Sequence, residues 1–190
     1  MDRETGQLPR VVPTTSSIKR IKVLSLGDAG VGKSCLIKRY CEGKFVSEYI
    51  PTIGIDYGVK SATVEEEEVK VNFWDVAGDP VYYEVRNEFY KDTNVASAAA
   101  VLVFEVGSKK SFQSLEKWVQ ELRSLCDENI AVFLVANKID VPAREVPISD
   151  SQDYAASNNF RYFEVSALTG YQVNELFGAV FRTALSTIPP

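Results

Sequence analysis

The sequence GDAGVGKS, at residues 27–34, is the strongest indication of the fold class of this chain. Written out, it is Gly27-Asp28-Ala29-Gly30-Val31-Gly32-Lys33-Ser34. It satisfies the pattern G-x-x-x-x-G-K-[ST] between an apolar, strand-like run, Ile21–Leu26, and a helix-competent segment, Cys35–Glu42. In such a loop, small residues let successive backbone N–H groups surround phosphates, and the helix N-terminus adds a favourable dipole. Lys33 is expected to reach the β- and γ-phosphates, and the Ser34 hydroxyl to bind Mg²⁺. A glycine-rich turn that merely links strand to helix is the alternative, and the Lys-Ser ending disfavours it.

Apolar runs with the character of strands alternate along the chain with longer amphipathic segments. The runs are Ile21–Leu26, Val69–Asp75, Ala98–Val106, Ile130–Ala136 and Arg161–Val165. This alternation predicts a parallel sheet with crossover helices. The predicted fold class is therefore α/β, with one doubly wound domain.

Helical spacing predicts several of the crossover helices. One begins near Ser111 and turns a set of apolar side chains toward the core: Phe112, Leu115, Val119, Leu122 and Leu125. Ser149 and Gln152 predict a capping box at the start of a helix that runs toward Asn158, and Glu175–Leu185 predicts a terminal helix. The acidic run Glu65–Glu68 predicts a solvated hairpin tip, with a cation or partner site as the alternative.

Composition excludes several function classes. The 190 residues carry a formal net charge of −5, which gives no general attraction to nucleic acid. The absence of histidine excludes Ser–His–Asp, Cys–His and His-ligated zinc chemistry. Three cysteines without a C-x-x-C pair predict neither a disulfide framework nor a thiolate metal site, which fits a reducing compartment.

The two ends of the chain look different from its centre. Residues 1–19 lack the apolar stretch of a secretory signal and are expected to form a flexible arm. Residues 20–187 are the predicted domain and residues 188–190 a short tail, without a prenylation motif. The apolar runs are shorter than the ~20 residues that span a bilayer. We therefore expect a monomer without a stable membrane anchor, not secreted, in the cytoplasm or the nucleus.

Two further motifs follow later strands, at the carboxyl ends where open α/β sheets bind ligands. Asn137-Lys138-Ile139-Asp140 follows one strand, and Ser166-Ala167-Leu168 follows the last one. The Asp140 carboxylate is suited to accept hydrogen bonds from N1–H and the 2-amino group of guanine. Adenine would leave this charge unpaired, and sites of this kind reject the wrong base by ~10⁴-fold or more. The motifs together predict a guanine nucleotide.

Five motifs in order make the chain resemble the Ras superfamily of small GTPases, and the Rab branch most closely, over about residues 20–185. They are GDAGVGKS at 27–34, TIGIDY at 52–57, WDVAG at 74–78, NKID at 137–140 and SAL at 166–168. Three stretches look like the RJL family, the Rab-like GTPases associated with DnaJ domains: KRYCE at 38–42, GIDYGV at 54–59 and YEVRNEFYKD at 83–92. The resemblance implies a P-loop NTPase small G domain, with a six-stranded, mostly parallel sheet and about five helices, that binds GTP or GDP with Mg²⁺.

The resemblance assigns roles residue by residue. Thr52 is expected to coordinate Mg²⁺ and sense the γ-phosphate, Asp75 to hold the ion through water, and Gly78 to donate its N–H to the γ-phosphate. Phe45 matches the aromatic that lies across guanine, although by itself it could be a core aromatic. The same resemblance places Lys138 under the base and the Ala167 N–H on its carbonyl. The implied nucleotide-binding set also contains Asp28, Ala29, Gly30, Val31, Gly32, Lys33, Ser34, Cys35, Asn137, Asp140, Ser166 and Leu168, and the implied catalytic set is Lys33, Thr52 and Asp79.

The resemblance also implies an effector surface. Tyr57, Trp74 and Phe89 fall where the Rab branch places an exposed aromatic triad, with Ile53 and Ile55 beside them. By composition these residues could equally belong to the core. We favour an interface for effector and exchange-factor proteins, because large apolar groups on switch segments expose a patch that changes with the nucleotide.

Asp79 stands where most small GTPases place the glutamine that orients the attacking water. Aspartate is one methylene shorter, lacks an N–H donor and is repelled by the γ-phosphate, and losing such a donor removes ~10²–10³ in rate. Asp79 therefore predicts very slow hydrolysis; the alternative is that Asp79 acts as a general base. Pro80 steers Asp79 away from the helical region, and the Cβ of Ala29 would intrude where an arginine finger enters.

Two function classes remain after these observations. The first is a regulatory switch that binds GTP and hydrolyses it slowly, favoured by the intact Lys33, Ser34 and Thr52. The second is a nucleotide-locked scaffold or adaptor without meaningful turnover, favoured by Asp79. A P-loop kinase is disfavoured by the NKID motif and by the lack of an arginine-rich lid.

Overall fold

The computed structural model describes residues 18–90, 97–126 and 130–188. The flexible arm expected at residues 1–19 and the tail at 188–190 lie almost entirely outside the described residues. A 3₁₀ turn spans Pro80–Tyr82. The helices and strands, in chain order, are β1 Lys19–Leu26, α1 Lys33–Glu42, β2 Ile55–Val64, β3 Glu67–Val76, α2 Tyr83–Tyr90, β4 Ala98–Glu105, α3 Lys109–Gln113, α4 Leu115–Leu125, β5 Ala131–Asn137, α5 Ile148–Ser157, β6 Arg161–Glu164 and α6 Val173–Ser186.

The strands form one six-stranded sheet in the order β2-β3-β1-β4-β5-β6. The β2 and β3 strands pair antiparallel, and the other neighbours pair parallel. Strand β4 is buried along almost its whole length because helices cover both faces of the sheet. One core layer packs against α1 and α6, around Phe73 and Phe177, and the other packs against α4, around Leu102 and Trp118. The predicted α/β sheet is confirmed.

The helix predicted from Ser111 is two helices, α3 and α4, separated at Ser114. The Ser108 hydroxyl caps α3 by accepting from the Ser111 N–H at 3.2 Å. The Ser114 hydroxyl donates to the Lys110 carbonyl at 3.1 Å. A serine hydroxyl that bonds to nearby backbone competes with the helical ladder, and the Ser114 hydroxyl forms such a bond at the boundary between the two helices.

The capping box predicted at Ser149 is wrong. Helix α5 begins one residue earlier, after Pro147, whose φ of −58° and ψ of 147° place it just outside the helix. Ser149 then lies inside the first turn, where its hydroxyl meets the Asp150 carboxylate at 3.2 Å instead of a backbone N–H. The terminal helix α6 starts two residues before the predicted Glu175 and buries its predicted apolar face.

The hairpin of β2 and β3 closes at Glu65 and Glu66, which have φ of 50° and 71°. Two successive residues with positive φ match the right-handed twist of a two-residue hairpin turn. Both glutamates are exposed, so the predicted solvated tip is confirmed. At its other end the hairpin pairs Ile55 with Val76, and the two segments that leave it there enter the candidate site.

Candidate nucleotide site

A cleft of about 470 Å³ opens where the loops after β1, β3, β5 and β6 meet at the carboxyl edge of the sheet. Most residues of the predicted nucleotide-binding set line it: Ala29, Gly30, Gly32, Lys33, Ser34, Cys35, Phe45, Thr52, Gly78, Asn137, Lys138, Asp140, Ala167 and Leu168. Asp28, Val31 and Ser166 do not line it. Asp28 and Ser166 instead hold neighbouring residues, as described below, and Val31 is buried beneath the loop.

The glycine-rich loop wraps around the ammonium of Lys33. Its Nζ donates to the carbonyl oxygens of Gly27 at 2.8 Å and Asp28 at 3.0 Å, and the side chain is buried. Burial lowers the pKa of Lys33 to about 8, against the opposing effect of nearby carboxylates. Helix α1 starts at this lysine, after Gly32 with φ of 98°, and glycine has no side chain to cap the first N–H groups. The loop thus presents a desolvated cation and free helix N–H groups to an anion.

Three oxygen-bearing side chains meet beside Lys33. The Ser34 hydroxyl lies 3.0 Å from Thr52 Oγ1 and donates to Asp75 Oδ2, which Thr52 also approaches at 3.4 Å. Asp75 is buried, and burial raises the pKa of its carboxyl, opposed by the hydrogen bond from Ser34. The second carboxylate oxygen, Oδ1, is buried without a hydrogen-bond partner among the described residues. Two hydroxyls and an incompletely satisfied carboxylate fit Mg²⁺, which keeps waters and phosphate oxygens among its ligands.

Gly78 brings the segment after β3 into contact with the glycine-rich loop. A Cβ at this position would lie 2.2 Å from the Ala29 nitrogen and 2.3 Å from the Asp28 carbonyl carbon. A backbone contact of this closeness leaves no space for a side chain. Any larger residue at position 78 would separate the two segments.

Asn137 joins three parts of the base end. Its side chain is fully buried, its Nδ2 donates to the Val31 carbonyl at 2.8 Å, and its Oδ1 accepts from the Ala167 N–H at 3.2 Å. The resemblance assigned this N–H to the guanine carbonyl; in the structure it is bonded to Asn137. The Ser166 hydroxyl donates to Asp140 Oδ1 and so fixes the orientation of that carboxylate. Asn137 and Ser166 therefore position the residues that face the cleft.

Two further side chains flank the base end of the cleft. Phe45 is 36% exposed and lines the cleft, so the alternative of a core aromatic is excluded. The Lys138 ammonium forms a 2.7 Å ion pair with Glu105 Oε2, which holds the side chain in place. With its head fixed by Glu105, the alkyl stem of Lys138 offers an apolar surface to the cleft.

Asp79 lies at the opposite end, with an extended backbone at φ of −76° and ψ of 130°, as Pro80 predicts. Its carboxylate accepts from the Val81 N–H at 2.9 Å and caps the 3₁₀ turn. Its carbonyl accepts from Arg86 at 2.8 Å. Both the side chain and the backbone of Asp79 are therefore bonded within this segment of the protein.

No sequence pattern pointed to Arg86, which is 4% exposed and joins the segment after β3 to helix α4. Its guanidinium donates to both carboxylate oxygens of Glu121, at 2.9 and 3.0 Å, and also to the Ala77 carbonyl. It lies 4.8 Å from the Trp118 ring, whose Nε1 donates to the Asp28 carboxylate at 2.8 Å. Helix α4 thus connects the glycine-rich loop to the segment that carries Asp79.

The predicted effector residues form one aromatic row. The Trp74 ring lies between those of Tyr57 and Phe89, with centroid distances of 4.7 and 5.3 Å. Tyr57 is half exposed, and Ile53 is 77% exposed beside the cleft. Ile55, Trp74 and Phe89 are intermediate in exposure. Trp74 packs against the core layer around Leu102, and Tyr57 is at the surface, so the row extends from the core to the surface.

The fold and this constellation define the class of P-loop GTPase domains. A sequence model of the Ras family matches residues 22–186, and the chain belongs to that family, with the small G domain fold. DnaJ homolog subfamily C member 27 from Bos taurus is 52% identical over 164 residues, which cover 83% of this chain and 59% of the relative. The human protein of the same name is 51% identical over 164 residues, with the same two coverages, and the Danio rerio protein is 48% identical over 170 residues, which cover 86% and 61%.

These similarities confirm the predicted resemblance to Rab-like GTPases of the DnaJ-associated branch. The chain spans about three fifths of the length of these relatives. Within residues 18–90, 97–126 and 130–188, no helix has the length and apolar character required to cross a bilayer.

Proposed function

We propose that this chain is a guanine-nucleotide switch that binds GTP or GDP with Mg²⁺ and hydrolyses GTP very slowly. The observation that carries the slow step is the bonding of Asp79 to the Val81 N–H. Asp79 lines the cleft, but its carboxylate is engaged as an acceptor in its own turn and has no N–H donor to orient the attacking water as a glutamine would. Family membership and the built cleft support nucleotide binding.

Binding of the phosphates would use the loop that surrounds Lys33. A phosphate would replace the carbonyl oxygens of Gly27 and Asp28 as partner of the desolvated ammonium, which makes the exchange favourable. The N–H groups at the start of α1 would meet the same anion. The Gly78 N–H would then bond the γ-phosphate, because Gly78 already touches the loop.

Ser34, Thr52 and Asp75 would hold Mg²⁺. When bound, the ion neutralises charge on the β- and γ-phosphate oxygens. Thr52 is half-buried at the end of an exposed segment, so its contact would report whether a γ-phosphate is present. Ordering of this segment would change the surface around Ile53 and Tyr57, where effector and exchange-factor proteins are proposed to bind.

Recognition of guanine would rest on Asp140, oriented by Ser166, with Phe45 and Lys138 on the two faces of the base. The Asp140 carboxylate matches two donors of guanine and no pair of donors on adenine. A mismatch would leave the carboxylate unsatisfied.

Hydrolysis lacks a positioned donor at residue 79. Phosphoryl transfer depends on positioning and on neutralisation of charge, and an aspartate supplies neither. The Asp79 carboxylate would also repel the γ-phosphate. Arg86 bonds the Asp79 carbonyl and the Val81 N–H bonds the Asp79 carboxylate, so the backbone and the side chain are both engaged in the turn.

A second candidate is the nucleotide-locked scaffold, in which GTP is a structural ligand without turnover. The observation that favours it is the Arg86–Glu121 ion pair, with side chains 4% and 11% exposed, which fixes the segment after β3, the proposed second switch, to helix α4. A switch fixed in this way has less freedom to change between nucleotide states.

The test is to release the nucleotide from the purified protein, identify it by chromatography, and follow single-turnover phosphate release after reloading with GTP and Mg²⁺. We expect GTP to be recovered and release to be ~10²-fold below the intrinsic rate of small GTPases. GDP with ordinary release would contradict the slow step, and failure to bind either nucleotide would contradict the whole proposal.

The Asp79→Gln variant separates the two candidates, and Asp79→Asn is its matched control. Asparagine caps a turn as well as aspartate does but cannot reach the water. Faster phosphate release in the glutamine variant alone would show that the chain is a switch with slow hydrolysis. Unchanged release in both variants would favour the locked scaffold.

A further inference from the structure

Arg39 lies in the last part of α1. Its guanidinium donates hydrogen bonds to backbone carbonyls of the loop after β6 and of Gly43, the residue that follows α1. Its Nε donates to the Ala167 carbonyl at 2.8 Å, its Nη2 donates to the Leu168 carbonyl, and its Nη1 donates to the Gly43 carbonyl at 3.0 Å. Ala167 and Leu168 belong to the loop at the base end of the cleft, whereas Gly43 ends α1. Arg39 itself does not line the cleft.

The loop that carries Ala167 is held from two sides. On the sheet side, Asn137 accepts from the Ala167 N–H, and Ser166 bonds Asp140. Within the loop, the Gly170 N–H donates to the Ser166 carbonyl at 2.8 Å. On the helix side, the two carbonyls that follow Ser166 are bonded to Arg39. Loss of Arg39 would leave the helix side of the loop without these charged hydrogen bonds.

Gly43 connects the same arginine to the aromatic wall of the cleft. It has φ of 69° and donates its N–H to the Arg39 carbonyl at 3.0 Å, while its own carbonyl accepts from Nη1. Phe45, which lines the cleft, follows two residues later. One side chain therefore fixes both the loop with Ala167 and the point from which the Phe45 segment leaves the helix.

Helix α1 also begins at Lys33, so the helix extends from the phosphate end to Arg39. Six residues at 1.5 Å per residue place these positions about 9 Å apart along the axis. A helix of this length is rigid compared with the loops at its ends. Through Arg39, the element that would hold the phosphates also sets the position of the base loop.

We propose that Arg39 is a positioning residue for the base end of the nucleotide site and that it sets the lifetime of the bound nucleotide. The inference rests on the proposed function. Because Arg39 acts on the base loop and not on phosphates or metal, its removal accelerates the release of GDP and GTP equally. Lysine replaces it incompletely, since a single ammonium lacks the planar fork that reaches three carbonyls.

The test uses the purified chain loaded with a fluorescent GDP or a fluorescent non-hydrolysable GTP analogue, and measures release into excess unlabelled nucleotide. We expect Arg39→Ala to release both nucleotides about 10-fold faster than the unaltered chain. Arg39→Lys should release them at an intermediate rate. The acceleration that EDTA produces should be the same factor in all three proteins, because the metal contacts are intact.

The matched control is Arg161→Ala. Arg161 lies on β6, the strand that leads to the base loop, and bonds the Thr183 hydroxyl at 2.8 Å, away from the cleft. Its loss tests whether any weakening of this strand speeds release, and we expect a change of about twofold at most.

Three results would overturn the proposal: release from Arg39→Ala at the unaltered rate, equal acceleration by Arg161→Ala, or an effect confined to one nucleotide. Failure of the unaltered chain to bind either nucleotide would overturn the proposed function and this inference together. Binding by the unaltered chain with unchanged release from Arg39→Ala and Arg39→Lys would overturn this inference alone.

Discussion

The two ends of the cleft differ in how their residues are arranged. At the base end, Asn137 and Arg39 hold the loop from two sides, and the motif residues Asp140 and Ala167 match the family pattern. At the γ-phosphate end, the backbone is equally well held, through Arg86, but residue 79 departs from the family pattern. The base end thus keeps the residues proposed to bind guanine, whereas at the opposite end the Asp79 carboxylate is bonded to its own turn.

This difference separates two properties that small GTPases combine. Affinity depends on the base and phosphate contacts, and turnover depends on one donor near the γ-phosphate. The residues proposed for the first set are present in this chain, whereas residue 79 is an aspartate without an N–H donor. A domain of this kind is expected to retain a nucleotide and to depend on exchange or effectors, rather than on hydrolysis, for any change of state.

The largest effect is expected from Asp140→Asn, which changes the hydrogen bonding offered to the base. The asparagine amide would direct its N–H donors at the donors of guanine, and affinity for GDP should fall ~10⁴-fold. Affinity for the xanthine nucleotide, which presents a carbonyl at position 2, should rise. Competition between GDP and XDP for the cleft measures both changes. Equal preference for guanine in both proteins would contradict the assignment of Asp140.

The next largest effect is expected from Arg86→Met, which removes the hydrogen bonds that hold the segment at the γ-phosphate end. It removes both guanidinium hydrogen bonds from the Glu121 carboxylate, which is 11% exposed and keeps the Tyr90 hydroxyl as a partner at 2.7 Å. Loss of the charged partner should lower the free energy of unfolding by about 3 kcal/mol. Urea unfolding with saturating GDP measures the loss. The double variant Arg86→Met/Glu121→Met should recover much of it, and a double variant no more stable than the single one would contradict the pairing.

A smaller effect on stability is expected from Asp79→Ala, which tests whether the carboxylate at the γ-phosphate end serves only as a cap. Loss of the cap at Val81 should reduce the free energy of unfolding by about 1 kcal/mol. The rate of GTP hydrolysis should not fall, because the Asp79 carboxylate has no part in positioning the attacking water. A fall in single-turnover phosphate release would instead support the alternative that Asp79 is a general base.

The smallest effect is expected at the hairpin tip, remote from both ends. Replacing Glu65-Glu66 by Asn-Gly supplies residues that adopt positive φ easily and should stabilise the chain by less than about 1 kcal/mol. Thermal unfolding measures the gain, and nucleotide release serves as the control. A changed release rate would mean that the two ends of the cleft are coupled to the tip.

The sequence was sufficient for the alternation of strands and helices, the positions of the motifs and the extended backbone at Asp79. Each of these depends on residues close together in the chain. The residues that position the site were not predicted, because they join distant parts: Arg86 to Glu121 across 35 positions, Asp28 to Trp118 across 90, and Arg39 to Ala167 across 128. An arginine in a helix carries no local sign of which carbonyls it will meet.

Local patterns also failed where two rules competed. The Ser149 capping box follows from spacing alone, but Pro147 fixes the chain direction first, and the helix starts before the serine. The long helix predicted from Ser111 follows from its apolar face, but serine hydroxyls bond the backbone within it. In both cases the presence of helical structure was predicted correctly, and the boundaries were set by individual residues, Pro147 before α5 and Ser114 between α3 and α4.

The β2–β3 hairpin joins the two proposed switch segments, which contain the motifs at residues 52–57 and 74–78. Its ten residue pairs run from the tip to Ile55 and Val76, and a further bond joins the Ala77 N–H to the Gly54 carbonyl at 2.9 Å. Both switch segments therefore leave from the open end of one ladder, with Tyr57 paired to Trp74 two rungs in. Because β3 also pairs with β1 along Val69–Asp75, the open end of this ladder is fixed to the centre of the sheet, and the Tyr57–Trp74 pair lies beside the point from which both segments leave.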